Sequence, residues 1–345
     1  MIFINLPFCF MNLLYACVIE QNDGWGAEVF FDAAFRTDGY KTINVDYRVH
    51  RHELAKCFKQ VRDFDLFLLQ RGDYFPLQIV KAVRRPKIFY FSELFSRRRD
   101  ADHLFSSNLF DHYYVRTPEC INQIVNKGWV APDKISILLS AYDPNLYRPL
   151  REVHKDIDVL FVGSMTARRE TILNQLSKMF NVVVCQAFAE DAVRLFNRAK
   201  IILNLHGTDF LDTETRVFEI LGTGGFLITE LLSSESPFES GTHLVEVQGY
   251  DALVESIMFY LGNEEAREAI ATTGWEAVIQ NHTYQQRARE IETKAEEIIS
   301  AGLTLGPALN YSILKRYGYI EAIRRVRLHI AVVMNKTNSN QGDSR

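Results

Sequence analysis

The stretch from Thr213 to Thr229 contains residue types that suit a phosphorylated ligand. Apolar residues at helical spacing predict a short helix, and Thr215 and Arg216 stand at its start, where free N–H groups and the helix dipole favour anions. Glu219, one turn further along, offers a carboxylate for ribose hydroxyl groups. Gly224 follows the helix, because glycine tolerates the left-handed conformations of a tight exit. The pattern fits a phosphorylated sugar donor, and an ordinary helix–turn–strand is the alternative interpretation.

Three acidic residues of the first half could act as the base that activates an acceptor hydroxyl group: Asp23, Glu28 and Glu93. Such a base needs a carboxylate that is partly removed from water. Asp23 and Glu28 flank a loop formed by Gly24, Trp25 and Gly26, and Glu93 follows a predicted strand. A tryptophan between two glycines favours close packing beneath a ligand over a simple turn. For each acid, a helix cap or a solvated loop position is the alternative.

The sequence predicts neither a metal site nor a cofactor. The five cysteines are scattered, with no CxxC pair, which indicates reduced thiols rather than zinc ligands or disulfides. Two Asp-x-Asp patterns, Asp63-Phe64-Asp65 and Asp156-Ile157-Asp158, lead directly into strands, so we interpret them as structural. Without a metal, a leaving diphosphate must be stabilised by arginines, helix N-termini and backbone N–H groups.

Alternating strands and helices must position these residues. In the first half, strands are predicted at 13–19, 42–45, 65–69, 87–91, 110–115 and 134–138, and helices at 27–37, 52–61, 77–83 and 119–126. After a proline-containing linker at 141–157, strands are predicted at 158–162, 182–185, 201–205 and 226–229, and helices at 170–180 and 191–199. This alternation is typical of parallel sheets covered on both faces. From 250 onward the pattern is helical, at 250–261, 264–280 and 283–300.

The predicted architecture is therefore α/β, with two Rossmann-like α/β/α domains and a helical C-terminal tail. The domains are 1–150 on the acceptor side and 151–300 on the donor side, and 301–345 is a basic helix followed by a disordered segment from Asn338. A chain of 345 residues is long enough for two cores. The tail spaces apolar and basic residues as an amphipathic helix does, which suits peripheral contact with an anionic membrane or packing on its own protein.

Charge and hydropathy exclude other classes. The net charge of −4 and the lack of a basic stripe with stacking aromatic residues argue against a nucleic-acid partner. No apolar run reaches transmembrane length, and the apolar residues 1–10 lack the basic region and cleavage site of a signal peptide. We interpret those ten residues as an irregular or late-added extension and predict a cytoplasmic protein.

Several stretches, in their order and spacing, resemble the two-domain GT-B glycosyltransferases, in particular the spore-maturation CgeB-like branch of the group 1 transferases. The matching stretches of the second half are Asp158-Val-Leu-Phe-Val-Gly-Ser164 with Arg168-Arg169, Leu203-Asn-Leu-His206, Arg216-Val-Phe-Glu219 and Gly224-Gly-Phe-Leu-Ile-Thr229. Gly24-Trp25-Gly26, Asp46-Tyr47-Arg48 and the linker Asp143-Pro144 with Tyr147 add to the resemblance. It covers roughly 11–297 and implies two domains that face each other across a cleft.

The resemblance implies roles for individual residues. Glu219 matches the glutamate that binds the donor ribose, and Arg169, with Arg168 as the second choice, matches a basic residue that binds the diphosphate. It also places Arg216 and Thr215 near the phosphates and Gly163 and Ser164 where the backbone approaches the ligand. His206 would point towards the cleft, with a strand-end structural role as the alternative. The family's usual second glutamate, eight residues before Glu219, is replaced by Leu211, and the nearby acids Asp209, Asp212 and Glu214 are out of register. This leaves the sugar contact and the stereochemical outcome unassigned.

The implied activity is metal-independent transfer of a sugar from a nucleotide-diphosphate sugar to an unidentified acceptor hydroxyl group. Two alternatives stay open at this point. One is a non-catalytic sugar- or nucleotide-binding module in polysaccharide assembly, which the leucine at position 211 favours. The other is a GT-B-like nucleotide-sugar epimerase. The acceptor, whether glycan, lipid, protein or small molecule, is not encoded in a recognisable motif.

Overall fold

The chain divides into two compact units, 1–138 together with 291–345, and 139–290. The computed structural model describes residues 11–20, 24–94, 99–208, 211–302 and 306–342, with side chains as far as residue 328. Asp23 therefore lies outside the described residues, as do residues 1–10.

The first unit is built on a parallel sheet. Its described strands are β1 (Asn12–Cys17), β2 (Lys41–Asp46), β3 (Leu66–Gln70), β4 (Lys87–Tyr90), β5 (His112–Val115) and β6 (Ile135–Ile137), in the order β2-β1-β3-β4-β5-β6. The connecting helices are α1 (Ala27–Thr37), α2 (Leu54–Gln60), α3 (Leu77–Ala82), α4 (Asp102–Ser107) and α5 (Pro118–Asn126). β1 and β3 are apolar on both faces, as expected for strands covered by helices on each side. Aromatic residues fill the core, and the rings of Phe89 and Phe105 have centroids 5.2 Å apart.

The second unit repeats this design. β7 (Ile157–Val162), β8 (Val182–Cys185), β9 (Ala199–Asn204), β10 (Leu227–Glu230) and β11 (Val245–Val247) form a parallel sheet in the order β11-β10-β9-β7-β8. The helices are α6 (Ala167–Leu176), α7 (Ala189–Arg198), α8 (Thr215–Gly222), α9 (Tyr250–Gly262) and α10 (Glu264–Asn281). Aliphatic residues of β7, β9 and β10 form the core with α9 and α10.

The last helices return the chain to the first unit. α11 (Tyr284–Ala301) begins in the second unit and ends in the first, and α12 (Tyr311–Gly342) packs against α2 and α3. Leu314 and Tyr317 of α12 are buried in the first core. The segment 301–345, which the sequence treated as a separate tail, thus forms part of the first unit.

The linker belongs to the second unit. Tyr142 and Tyr147 are buried, and a Cβ atom on Gly222 of α8 would lie 2.4 Å from the Tyr142 ring. This close approach requires glycine at position 222, and it ties the linker to α8. The unit boundary consequently falls at 138–139, where the sequence analysis placed it at 150–151.

The predicted α/β class is confirmed, with strands and helices alternating in two parallel sheets and a helical C-terminal region. How the two units face each other stays a prediction. Three local expectations differ. β11 and α4 were not predicted, and α12 continues to Gly342 although disorder was predicted from Asn338. Neither glycine nor proline interrupts the chain between 319 and 341, so no helix breaker ends α12 earlier.

Within the described ranges, every helix falls short of the length and apolar character that crossing a membrane requires.

Candidate functional site

Three neighbouring strands of the second unit end at one edge of the sheet and bring the predicted donor residues together. Gly163 follows β7, His206 follows β9, and Glu230 ends β10. These strands are adjacent in the order β10-β9-β7. Ligands of open α/β sheets bind at the carboxyl ends of the strands, so this edge is the candidate site of the unit.

Arg216 presents a buried cationic nitrogen at this edge. Its side chain extends from the first turn of α8, and its Nη1 lies 3.5 Å from the point where a Cβ atom would stand on Gly163. Nη1 is buried and has no hydrogen-bond partner among the described residues. A buried donor without a partner is costly, so an anionic ligand is the natural complement of this nitrogen.

Glu219 lies one turn along the same helix from Arg216, on the same face. Burial raises the pKa of its carboxyl group, although the charge of Arg216 and a hydrogen bond from the Tyr147 hydroxyl group oppose the rise. Tyr147 itself is buried in the linker. Sequence analysis noted Tyr147 only as part of a resemblance, since nothing in its local pattern shows that the linker returns to α8.

Arg169 is buried and tied to backbone carbonyl groups. Its Nε donates to the carbonyl oxygen of Leu205 at 2.9 Å, and its Nη1 donates to that of Ser164 at 2.9 Å. The guanidinium also lies 5.4 Å from the centre of the Phe161 ring. Arg169 therefore holds the exposed loop at Ser164 against the end of β9. The phosphate contact that the resemblance implies for Arg169 stays a prediction.

Arg168 forms an ion pair with Glu230. Its Nη1 donates to Oε2 at 2.8 Å, and its Nη2 bonds the other carboxylate oxygen. Burial alone would raise the pKa of the Glu230 carboxyl group. The hydrogen bonds from Arg168 and from the His206 N–H group outweigh burial and hold this pKa below the usual value. The pair joins α6 to β10 across the end of β9.

His206 is buried beside a carboxylate that the sequence analysis placed out of register. Its Nε2 donates to the carbonyl oxygen of Leu231 at 2.8 Å, which leaves Nδ1 as the second ring nitrogen, 3.9 Å from Glu214 Oε1. Burial lowers the pKa of His206, but Glu214, the Leu231 carbonyl and Glu230 outweigh it and raise the pKa overall. Leu211 is 50% exposed, whereas Glu214, three residues later, lies beside His206 at this edge.

The remaining predicted residues of this unit lie at the ends of α8. Thr215 donates through its hydroxyl group to Ser140 at 3.2 Å. Gly224 has a φ of 68°, in the left-handed region that the predicted helix exit requires. The structure therefore places Thr215 against the linker and Gly224 at the opposite end of the helix.

The first unit holds a second cluster at the carboxyl edge of its sheet. Glu28 follows β1, Arg71 follows β3 and Glu93 follows β4, three neighbouring strands. Arg71 Nη2 lies 3.1 Å from Glu93 Oε1, and Arg71 Nε lies 3.5 Å from Glu28 Oε1. Burial raises the pKa of Glu28, against the opposing charge of Arg71. The structure thus brings two of the three predicted bases together, around an arginine that sequence analysis missed.

The loop before Glu28 uses its glycines for backbone geometry. Gly24 has a φ of 80° and Gly26 a φ of 107°, and Gly26 directly precedes α1. Trp25 between them is partly buried. The loop thus places the first turn of α1, and with it Glu28, at the carboxyl edge of the sheet. Asp23 lies outside the described residues.

The Asp-x-Asp patterns are engaged in ion pairs and backbone contacts. Asp156 pairs with Arg198, and Asp158 lies 2.6 Å from the Lys200 ammonium group. Asp63 pairs with Arg85, and Asp65 accepts a hydrogen bond from the Asn12 N–H group at 2.8 Å. In the part of the chain that the structure describes, His50, Glu53 and Cys57 form a group that could present ligand atoms to an ion, but the Glu53 carboxylate is paired with Lys56 at 3.2 Å. That the protein needs no metal stays a prediction.

Comparison with known proteins finds a family match over the second unit and solved structures of similar fold over most of the chain. Residues 144–293 match a family model described as glycosyl transferase-like. In solved structures, Anabaena Alr3699/HepE in complex with UDP and glucose superposes with a TM-score of 0.63 at 11% identity, over 84% of this chain and 100% of that chain. Sucrose-phosphate synthase from Thermosynechococcus elongatus gives 0.62 at 10% identity, over 85% of this chain and 100% of that chain.

The fold is that of the GT-B glycosyltransferases. At such low identity the likeness concerns the fold alone. An uncharacterized protein of Acanthamoeba polyphaga mimivirus, R358, is 31% identical over 124 residues, which cover 35% of this chain. The chain spans 42% of that relative's length. The matched family region contains the whole of α8, and with it Arg216 and Glu219.

Proposed function

We propose that this protein is a glycosyltransferase that moves a sugar from a nucleotide-diphosphate sugar to an acceptor hydroxyl group. One observation carries the proposal: the Nη1 of Arg216 is buried beside Gly163 without a hydrogen-bond partner among the described residues, and Glu219 lies one turn away on the same helix face. A guanidinium binds a phosphate through charge-assisted hydrogen bonds, and a carboxylate accepts hydrogen bonds from a ribose. Two further findings support it, the glycosyl transferase-like match and the HepE structures with UDP and with UDP-glucose.

In this proposal Arg216 stabilises the leaving diphosphate, and Glu219 binds the donor ribose. Arg169 and Arg168 position the surrounding loops, because their N–H groups are bonded to carbonyl groups and to Glu230. The reaction needs no metal ion, since the cationic arginine and the helix N-terminus supply the positive charge that the leaving group requires. The ordered motifs of the second half support assignment to the CgeB-like branch.

Glu28 is the proposed base on the acceptor side. It is buried, its pKa is raised by that burial, and it shares Arg71 with Glu93. A carboxyl group with a raised pKa is better matched to accept a proton from a hydroxyl group near neutral pH. We place the reaction in the cytoplasm, in keeping with Cys17, Cys57 and Cys185, which form no disulfide among the described residues.

A nucleotide screen tests the proposal. The melting temperature of the protein is measured with UDP, GDP, ADP and dTDP and with their sugars, and at least one is expected to raise it. Glu219→Ala should remove most of that shift. Arg194→Ala is the matched control, since Arg194 is an exposed residue of the same unit paired with Asp191. If no nucleotide stabilises the protein, or Glu219→Ala leaves the shift intact, the proposal is wrong.

A non-catalytic nucleotide-sugar-binding module is the second candidate, favoured by the exposed Leu211 in place of an acid. Incubation with the stabilising donor separates the two. Slow donor hydrolysis or sugar transfer that is lost in Glu28→Gln supports the transferase, and tight binding without turnover supports the module. Conversion of the donor sugar without any acceptor would indicate an epimerase instead.

A further inference from the structure

A groove of about 1390 Å³ opens in the first unit, outside the residues assigned so far. The loop after β2, the loop after β3 and the exposed part of α12 form its walls. The side chains that matter here are Arg48, Arg51, Asp73, Tyr74, Arg324 and Arg327. We call this cavity the arginine groove.

Two acids line the arginine groove, and one of them is fully paired. Asp73 accepts two hydrogen bonds from Arg48, at 2.7 and 2.9 Å, and a third from the Tyr47 hydroxyl group at 2.7 Å. Glu321 is buried and accepts a hydrogen bond from the N–H group of Ala55 through Oε2 at 3.1 Å, whereas its Oε1 has no hydrogen-bond partner among the described residues. Even with both carboxylates counted as charged, the arginines that line the groove outnumber its acids.

The remaining arginines give the groove surplus positive charge. Arg324 and Arg327 are three residues apart on α12, so they share one helix face, and neither has a charged partner among the residues whose side chains are described. Arg51 lines the same space, and its Nε donates to the Nε2 atom of the neighbouring His52 at 3.0 Å. Guanidinium groups bind carboxylates and phosphates in a planar, two-pronged geometry.

Tyr74 adds an aromatic surface. Its side chain is 78% exposed, and its backbone has a φ of 55°, a left-handed conformation that is unfavourable for a large side chain. Strained residues of this kind concentrate at ligand sites. An exposed ring with a polar hydroxyl end suits the flat, partly apolar face of a sugar.

One loop links the arginine groove to the candidate base. Residues 71–74 carry Arg71, which pairs with Glu28 and Glu93, and then Asp73 and Tyr74 of the groove. The N–H group of Gly72 between them donates to the Tyr47 hydroxyl group at 3.1 Å. A molecule seated in the groove would therefore lie beside the carboxylates that could deprotonate it.

We propose that the arginine groove binds the acceptor, and that this acceptor is an acidic sugar or glycan whose phosphate or carboxylate group contacts Arg51, Arg324 and Arg327. This inference rests on the proposed glycosyltransferase function. The ring of Tyr74 packs on the acceptor sugar, and the arginines fix its acidic group.

Calorimetric titration of the full chain tests the inference with three probes that share one ring, namely glucose, glucose 6-phosphate and glucuronate. We expect at least one acidic probe to bind at least tenfold more tightly than glucose. The double substitution Arg324→Gln and Arg327→Gln should weaken that binding at least tenfold. The matched control is Arg316→Gln with Arg325→Gln, which removes the same charge from the same helix outside the groove. Tyr74→Ala should weaken all three probes.

The inference is overturned if no acidic probe binds more tightly than glucose, or if the two double variants weaken binding equally. Sedimentation with phosphatidylcholine vesicles, with and without phosphatidylglycerol, separates two sources of the acidic group. If the protein binds the vesicles and only the Arg324 and Arg327 double variant loses this binding, the acidic group belongs to a lipid-linked acceptor. If the protein does not bind the vesicles, the acidic group belongs to a soluble acceptor. UDP titration of the same samples reports the donor side, so failure of the proposed function is distinguished from failure of the groove.

Discussion

Replacing Arg216 by glutamine tests the donor site most directly. The substitution removes the positive charge at the buried Nη1 position beside Gly163. Hydrogen bonds to charged groups contribute about 1.5–3 kcal/mol each. Because 1.4 kcal/mol corresponds to about tenfold in affinity, the variant should bind the stabilising nucleoside diphosphate about 10- to 100-fold more weakly.

The free protein should respond differently from the complex. Removing a buried donor without a partner relieves a cost of about 1–3 kcal/mol, whereas losing the charge that opposes the raised pKa of Glu219 acts in the other direction. The free energy of unfolding should therefore change by less than about 1 kcal/mol, as surface substitutions do. Weak binding with intact stability distinguishes a ligand contact from a structural residue.

Isothermal titration calorimetry measures the affinity, and urea unfolding measures the stability of the same preparation. Arg194→Gln is the matched control, because Arg194 is an exposed arginine on α7 that pairs with Asp191. The reasoning is refuted if Arg216→Gln keeps its affinity within twofold, or if Arg194→Gln loses as much. A loss of stability that parallels the loss of affinity would also refute it.

Three further outcomes are expected. Gly274→Ala should destabilise the protein by about 1–3 kcal/mol in urea unfolding, as overpacking does, because the new Cβ would lie 2.2 Å from a backbone carbonyl oxygen. The control substitution Gly262→Ala, which places its Cβ in open space, should stabilise the protein by up to about 1 kcal/mol. Glu28→Gln should abolish transfer in a radiolabelled-sugar assay while nucleotide affinity is unchanged, and a parallel loss of affinity would contradict the assignment. Burial lowers the pKa of His112 and of His282 to about 4. Because the histidines of the unfolded chain take up protons near pH 6.5, the free energy of unfolding is highest above about pH 6.5 and falls towards pH 4. At pH 5 the expected loss is about 1 kcal/mol for each histidine, with solvent screening taken into account. Urea unfolding at pH 5 and above pH 6.5 measures that loss, and a variant with glutamine in place of His112 and His282 should lose less of its free energy of unfolding.

Most of the fold could be predicted because buried parallel strands are continuous apolar runs. β1, β3 and β7 are of this kind, and each was predicted within a few residues of its observed bounds. β11 has three residues, Val245–Val247, and a run that short carries no periodic signal. α4 has six residues and no capping hydrogen bond from a side chain, so its start is equally unmarked.

The candidate site was only partly predictable, because its partners come from distant parts of the chain. Glu28 and Glu93 were named separately, but Arg71, which joins them, follows a different strand and adopts a φ of 70° that no local pattern requires. Glu214 was considered out of register, since sequence spacing does not show which side chain of an irregular loop turns towards His206. Strand order, rather than residue spacing, brings these groups together.

The hydrogen-bond partners of the arginines in the second unit distinguish an arginine that could bind a ligand from arginines that hold loops in place. Arg168 is held by Glu230, and Arg169 donates to the carbonyl groups of Leu205 and Ser164. Both fix loops that surround the ends of β7 and β9. Arg216 has a buried Nη1 with no hydrogen-bond partner in the described part of the chain, and it lies at the carboxyl edge of the sheet; Arg267, whose Nε is also buried without a partner there, belongs to α10. Because an unsatisfied buried donor is retained at a cost, we infer that the diphosphate contact belongs to Arg216, and that Arg169 keeps the Ser164 loop in place for it.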